Sequence, residues 1–151
     1  MKDWKPTSVT VAAIIERGAR FLIVEELHEE RRVLNQPAGH LDPGESVLHA
    51  VAREVLEETA HRFTPTDLVG IYRWYYAPAD VTFLRFAFAG RVDGVEEGRA
   101  LDKEIVALHW LTPGELAARK AEHRSPLVQQ CVDDYLAGRH FPLEVLSKEF
   151  Q

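Results

Sequence analysis

Residues 39–58 read GHLDPGESVLHAVAREVLEE, and this stretch decides how the rest of the chain is read. Gly39 opens it with a sharp turn, which a residue without a Cβ permits. Ser46 is a good helix N-cap, because its hydroxyl can accept a free first-turn amide. Leu48, Val51, Ala52 and Val55 then recur at spacings of three and four. That pattern predicts a helix with one apolar face turned to a core. Glu54, Glu57 and Glu58 recur at the same spacings and share a different face.

Three carboxylates on one helical face work against stability. Like charges at i,i+4, such as Glu54 and Glu58, cost a helix roughly 0.2–0.5 kcal/mol, and the C-terminal end of the macrodipole disfavours anions. A bound cation offsets both effects. Oxygen ligands without a nearby Cys or His cluster point to Mg²⁺, with Mn²⁺ as a substitute, rather than to zinc. The glutamates alone fit a solvated acidic face better. The surrounding spacing reverses that preference.

Gly39 is followed by five residues, then Glu45, then seven residues, then Arg53-Glu54-Val55-Leu56-Glu57-Glu58. This pattern resembles the signature box of the Nudix hydrolases. It fixes six positions over a twenty-residue span, so chance matches are rare. The resemblance implies an α+β fold, with a mixed β-sheet sandwiched between helices, and a single domain over residues 1–151. It implies Glu54, Glu57, Glu58 and the backbone carbonyl of Ala38 as metal ligands. Glu104, just ahead of a strand, fits the place of a further carboxylate that approaches the metal from outside the box. One of these glutamates serves as the base, and the sequence leaves open which. Arg53 pairs with Glu45 and, with Gly39, supports the box structurally. The chain departs from the family at Ala60 and His61, where Gly and an aliphatic residue are usual. Neither is a metal-ligand position, so the departure concerns the helix exit.

Cleaving a phosphoanhydride needs neutralised phosphoryl oxygens, a positioned water and an acceptor for its proton. Divalent ions supply the first two, and a glutamate cluster is a sensible cradle for them. Outside the box, NQPAGHLDPGES, TFLRFAF, RSPLV and FPLE resemble one phosphatase branch of the same family. That resemblance implies orthophosphate release from nucleoside tri- and diphosphates and from hydroxymethylpyrimidine diphosphate, a thiamine precursor. The alternative within enzymes is a pyrophosphohydrolase of a sugar nucleotide or an oxidised deoxynucleoside triphosphate. A non-catalytic binding module of the same fold is the alternative in another class. Such modules usually lose box carboxylates, whereas all four box glutamates are present here.

The chain has 151 residues, of which 46% are hydrophobic, and this suits one globular domain with a sizeable core. Its net charge of −6 argues against a nucleic-acid polymer or an anionic membrane as partner. A small anionic substrate remains compatible if a metal ion stands between it and the carboxylates. Cys131 is the only cysteine, so no internal disulfide forms and a reducing cytoplasm is expected. The segment MKDWKPTS has no apolar signal core, and no stretch is long enough to cross a bilayer. A monomer or homodimer is expected.

Val9 to Ile15 and Phe21 to Val24 read as strands joined in a hairpin by Glu16–Ala19. EELHEERR, residues 25–32, reads as a solvated loop, from which Arg31 or Arg32 can reach a phosphate. Pro37 holds Gln36 extended, so the chain runs straight into the box. Arg62 to Asp67 reads as a connection, and Leu68 to Tyr76 and Val81 to Phe88 as long strands. Arg85 lies on one face of the second. Trp74 and Tyr76 share a strand face near the turn and can stack on a base, so these three residues are the candidates for substrate binding. Val92 to Lys103 reads as a loop and Ile105 to Leu111 as a strand. Thr112-Pro113 and Ser125-Pro126 each open a helix, the first running to Glu122 and the second stopped by Gly138. Leu127, Val128, Cys131, Val132, Tyr135 and Leu136 form the second helix's core face. Cys131 on that face is read as core rather than nucleophile.

Overall fold

The computed structural model describes residues 3–151; Met1 and Lys2 of the N-terminal segment lie outside the described residues. One sheet has the order β5 (Ala38–His40), β1 (Ser8–Ile14), β7 (Val81–Val95), β6 (His61–Tyr76) and β9 (Phe141–Pro142). It is mixed: β1 runs parallel to β7, and the other pairs are antiparallel. A second sheet is built on β3 (Arg20–His28), which pairs with β2 (Glu16–Arg17), β4 (Arg31–Asn35) and β8 (Ile105–Leu111).

Period-two alternation on β1 and β7 sends residues to opposite sides of the first sheet. Val11, Ala13, Phe86 and Phe88 join Val47, Ala50, Val51 and Val55 of α1 (Val47–Thr59) in one core. Ile14, Ala87 and Ala89 face the other way. They pack with Leu116 of α2 (Pro113–Ala118) and with Leu127, Val128, Cys131 and Val132 of α3 (Leu127–Leu136). Helices thus cover both faces, as expected for a mixed sheet sandwiched between helices. Val51 and Val55 are wholly buried. Each such side chain contributes roughly 1.5–3 kcal/mol, several times the i,i+4 repulsion of the glutamates. Packing therefore holds α1 in place despite its acidic face.

Several boundaries differ from the sequence reading. β1 does not pair with β3: the short turn at residues 18–19 closes only β2 on β3, and the chain changes sheet near Ile15. The charged run 25–32 is a hairpin, not a loop. β3 extends to His28, and Glu29 and Glu30 (φ 49° and 64°) make a two-residue turn into β4. Both turn residues are left-handed, a geometry usually signalled by Asn or Gly, and here the chain uses glutamates. The expected connection at 62–67 is strand as well. β6 runs through Pro65 by shifting register on either side of it, the way a strand accommodates a missing amide. β7 likewise runs on to Val95. The helix after Thr112 ends at Ala118, with a separate 3₁₀ turn at Lys120–Glu122. On α3, Leu136 is half exposed rather than part of the core face.

The exit of α1 shows the cost of the Ala60 departure. Ala60 has φ 60° and ψ 8°, and its amide donates to the Leu56 carbonyl. A left-handed alanine is strained by about 1–2 kcal/mol relative to glycine. Ala60→Gly should raise the melting temperature by a few degrees and leave turnover unchanged. A lower melting temperature would show that the buried Ala60 methyl outweighs the backbone strain.

Candidate active site

The site begins at the start of α1. The Ser46 hydroxyl accepts from the His49 amide at 3.1 Å, which fixes the first turn. Glu45, one residue earlier, is gripped by Arg53 in a two-pronged ion pair, Nε to Oε2 at 2.7 Å and Nη2 to Oε1 at 2.8 Å. The Asp42 amide and the His49 ring complete its contacts. This fork holds the Glu45 carboxyl down at about 2, chiefly through the Arg53 hydrogen bonds. The expected loop-to-helix pairing is therefore present.

Arg53 does more than the sequence suggested. Its Nη1 also donates to Glu54 Oε1 at 2.9 Å and to Glu57 Oε2 at 3.1 Å, and its Nη2 donates to the His40 carbonyl at 3.1 Å. One resident guanidinium thus offsets part of the repulsion among the box carboxylates.

Gly39 is present for a reason other than its turn. It is not among the positive-φ glycines. Instead, a Cβ built on it would fall on the Glu54 carboxyl. Glycine here leaves room for a carboxylate against the backbone of β5.

The three box glutamates do not converge on one point. Oxygens of Glu54 and Glu57 lie within 4.8 Å of each other and of an Asp102 oxygen. Asp102 is absent from the sequence-derived set. It comes from the loop at 96–104, whose fold against α1 is set by the Asp102 amide donating to the Glu57 carbonyl at 3.0 Å. Nothing local marks it, because the contact spans 45 positions. Glu58 turns instead toward β5, where the Ala38 amide donates to its Oε1 at 2.7 Å. Glu104 is exposed and lies at a cavity rim, outside the Glu54–Glu57–Asp102 group among the described residues.

That cavity, of about 380 Å³, is bounded by Ala38, Gly39, Glu58 and Glu104 on the acidic side. Trp74, Phe83, Asn35 and Arg85 line it further in. Trp74 stacks on Phe83, with centroids 5.6 Å apart and planes 22° apart. Tyr76 lies against Trp74 at 5.2 Å but is not among the lining residues. Of the three substrate-binding candidates, Trp74 and Arg85 reach the cavity.

Burial pushes the Glu54 carboxyl up to about 7 against the opposing pull of Arg53. Burial pushes Glu58 up to about 9, with Glu26 and Glu54 adding repulsion. Burial, then Glu57 and Glu104, raise Asp102 as well. Crowded oxygens, with Glu54 and Asp102 raised and no sulfur or imidazole in the group, fit a hard divalent cation.

The pH dependence of the metal-free protein follows with a definite sign. A carboxyl raised above its unfolded value of 4.5 keeps a proton that the unfolded chain gives up. Its stabilisation is full below 4.5 and is lost as pH rises through about 7 for Glu54 and about 9 for Glu58. Glu45 acts oppositely: its contribution is present above 4.5 and fades as pH falls toward about 2. In EDTA the melting temperature should therefore fall from pH 6 to pH 9. Glu58→Gln should flatten the upper part of that decline. A melting temperature that stays level or rises over this range contradicts the assignment.

Comparison with known proteins identifies the family. A family model described as the NUDIX domain matches residues 5–131. Phosphatase NudJ of Escherichia coli K12 is 35% identical over 139 residues, covering 92% of this chain and 90% of that protein. The NudJ of Shigella boydii matches to the same extent. A NUDIX hydrolase from Nitrosomonas europaea superposes with a TM-score of 0.92 at 49% identity, covering 94% of this chain and 97% of its own. The MutT protein of Methanosarcina mazei shares the fold, with a TM-score of 0.74 at 21% identity over 91% and 99% of the two chains. With the glutamate box in place and the family model spanning most of its length, this chain belongs to the Nudix hydrolases.

Proposed function

We propose that this enzyme is a Mg²⁺-dependent phosphohydrolase that cleaves phosphoanhydride bonds of nucleoside tri- and diphosphates and releases orthophosphate. Hydroxymethylpyrimidine diphosphate falls within the same substrate class. The observation that carries the proposal is the Glu54–Glu57–Asp102 group beside a cavity with an aromatic wall. Likeness to phosphatase NudJ supports orthophosphate as the product.

In this reading Glu54, Glu57 and Asp102 hold the ion, with the Ala38 carbonyl and Glu58 completing the surroundings. When bound, the ion neutralises phosphoryl oxygens and lowers the pKa of water. The protein's own groups do the rest. Arg53 and Glu45 fix the pitch of α1, so the carboxylates are set before substrate arrives. Glu104 at the rim, or one of the box glutamates in its ionised form, takes the proton of the attacking water. Trp74 and Phe83 offer an apolar face to a heteroaromatic ring. The whole chain acts as one unit on a small molecule, as a monomer or homodimer in the cytoplasm.

Glu57→Gln keeps the shape of the cradle and removes one charge. In EDTA it should melt close to wild type, since it loses both the Arg53 contact and the repulsion from Glu54 and Asp102. In excess Mg²⁺ the wild type should gain stability by mass action and the variant less. Phosphate release from nucleoside triphosphates should fall on the order of a hundredfold or more. Equal Mg²⁺ responses with an active variant would reduce the group to a solvated acidic face. Release of pyrophosphate in place of orthophosphate would favour the pyrophosphohydrolase alternative.

A further inference from the structure

A second cavity, of about 760 Å³, adjoins the first between α3 and the 3₁₀ turn at Lys120–Glu122. Trp74, Arg124 and Ser125 line both cavities. None of the box glutamates reaches the second one, so the chemistry of the acidic cradle does not account for it.

Basic groups come from the turn and the loop after it. Lys120 lines the cavity and, among the described residues, has no carboxylate within ion-pair distance. The acid nearest to it in sequence, Glu122, is held by Arg119 on both oxygens, at 2.7 Å each. His123 donates Nε2 to the Leu116 carbonyl at 2.8 Å, which leaves its Nδ1 open. Arg124 gives only Nη1 to Glu26, so its other N–H groups remain available. A chain of net charge −6 thus gathers three basic side chains around one hollow.

Acceptors come from α3. Gln129 and Asp133 stand one turn apart, and Gln129 Nε2 donates to Asp133 Oδ1 at 3.0 Å. Gln129 Oε1 is cut off from solvent and has no hydrogen-bond partner, the one such side-chain atom among the described residues. An unmatched buried acceptor carries an unrelieved desolvation cost. The carboxamide is held at one end only, so a turn about its last side-chain bond brings Oε1 to the cavity. Asp134, also in the lining, is already committed to the Tyr72 hydroxyl at 2.8 Å.

We propose that this second cavity binds a short zwitterion, its oxyanion at Lys120 and Arg124 and its ammonium at Gln129 Oε1 and Asp133. A simple anion would leave Gln129 unmatched and face Asp133. A simple cation would face Lys120. A water molecule would satisfy Gln129 but makes no use of the basic groups. A ligand with both charges matches both sets, and Trp74 offers its methylene linker an apolar wall. The oxyanion is a phosphate or a carboxylate, since Lys120 and Arg124 serve either.

The test uses probes without a phosphoanhydride, in metal-free protein. O-Phosphoethanolamine and γ-aminobutyrate carry the two kinds of oxyanion; inorganic phosphate and ethanolamine supply each half alone. The Gln129 side-chain amide and the Trp74 indole are followed by NMR. At least one zwitterion should shift both signals and bind about tenfold tighter than either half. Gln129→Leu and Lys120→Ala should each weaken that binding at least about tenfold. Neither residue lines the catalytic cavity, so phosphate release from nucleoside triphosphates with Mg²⁺ should be unchanged in both. Lys120 is exposed, so its variant keeps the test open if Gln129→Leu fails to fold. Absence of shifts with both zwitterions at millimolar concentration overturns the proposal. So does phosphate or ethanolamine binding as tightly as the zwitterions, or zwitterion binding undiminished in the variants.

Discussion

Everything near the site depends on how closely carboxylates can be brought together. Glu54, Glu57 and Asp102 crowd their oxygens into one small volume, and Glu58 is buried close by. Like charges at such distances repel strongly once water is excluded. Three features of the chain hold them there. The apolar face of α1 is locked into the core by Val47, Val51 and Val55. Arg53 sits among the acids and shares its donors between Glu45, Glu54 and Glu57. Gly39 leaves out the side chain that would occupy the position of the Glu54 carboxyl. Burial and the neighbouring acids push the Glu54 and Glu58 carboxyls upward, an environment that a cation among them would relieve.

The same logic of imposed partners applies at the other end of the cavity. There the buried charge is positive, and neutral carboxamides surround it. The acidic end suits a cation and the phosphates it neutralises. Both ends lie along β5, β4 and β7, and the cavity opens where the two sheets meet.

Much of this was legible in the sequence because it depends on local periodicity. Ser46 as cap and the apolar stripe of α1 follow from residues near one another in the chain, and the Glu45–Arg53 pair followed from the resemblance carried by the box. The layers of the fold followed from the resemblance carried by the box. Features that depend on distant contacts were not legible. Asp102 carries no signal until its loop is tied to the Glu57 carbonyl. The separation of Glu58 from Glu54 and Glu57 is set by β5, not by helical spacing. The β3–β4 hairpin was hidden because Glu29-Glu30 lacks the usual turn residues. Pro65 suggested a break where β6 shifts register and continues.

The most direct test of the acidic cradle uses Asp102, the member that sequence reasoning did not supply. Mn²⁺ binding can be followed by the loss of the free-ion EPR signal, with proton release measured in parallel at pH 7. The account predicts that wild type binds Mn²⁺ and releases protons as Glu54 ionises fully. It predicts that Asp102→Asn weakens binding at least about tenfold, the cost of losing one charged ligand. Equal affinity of wild type and Asp102→Asn, with no proton released by either, would contradict it.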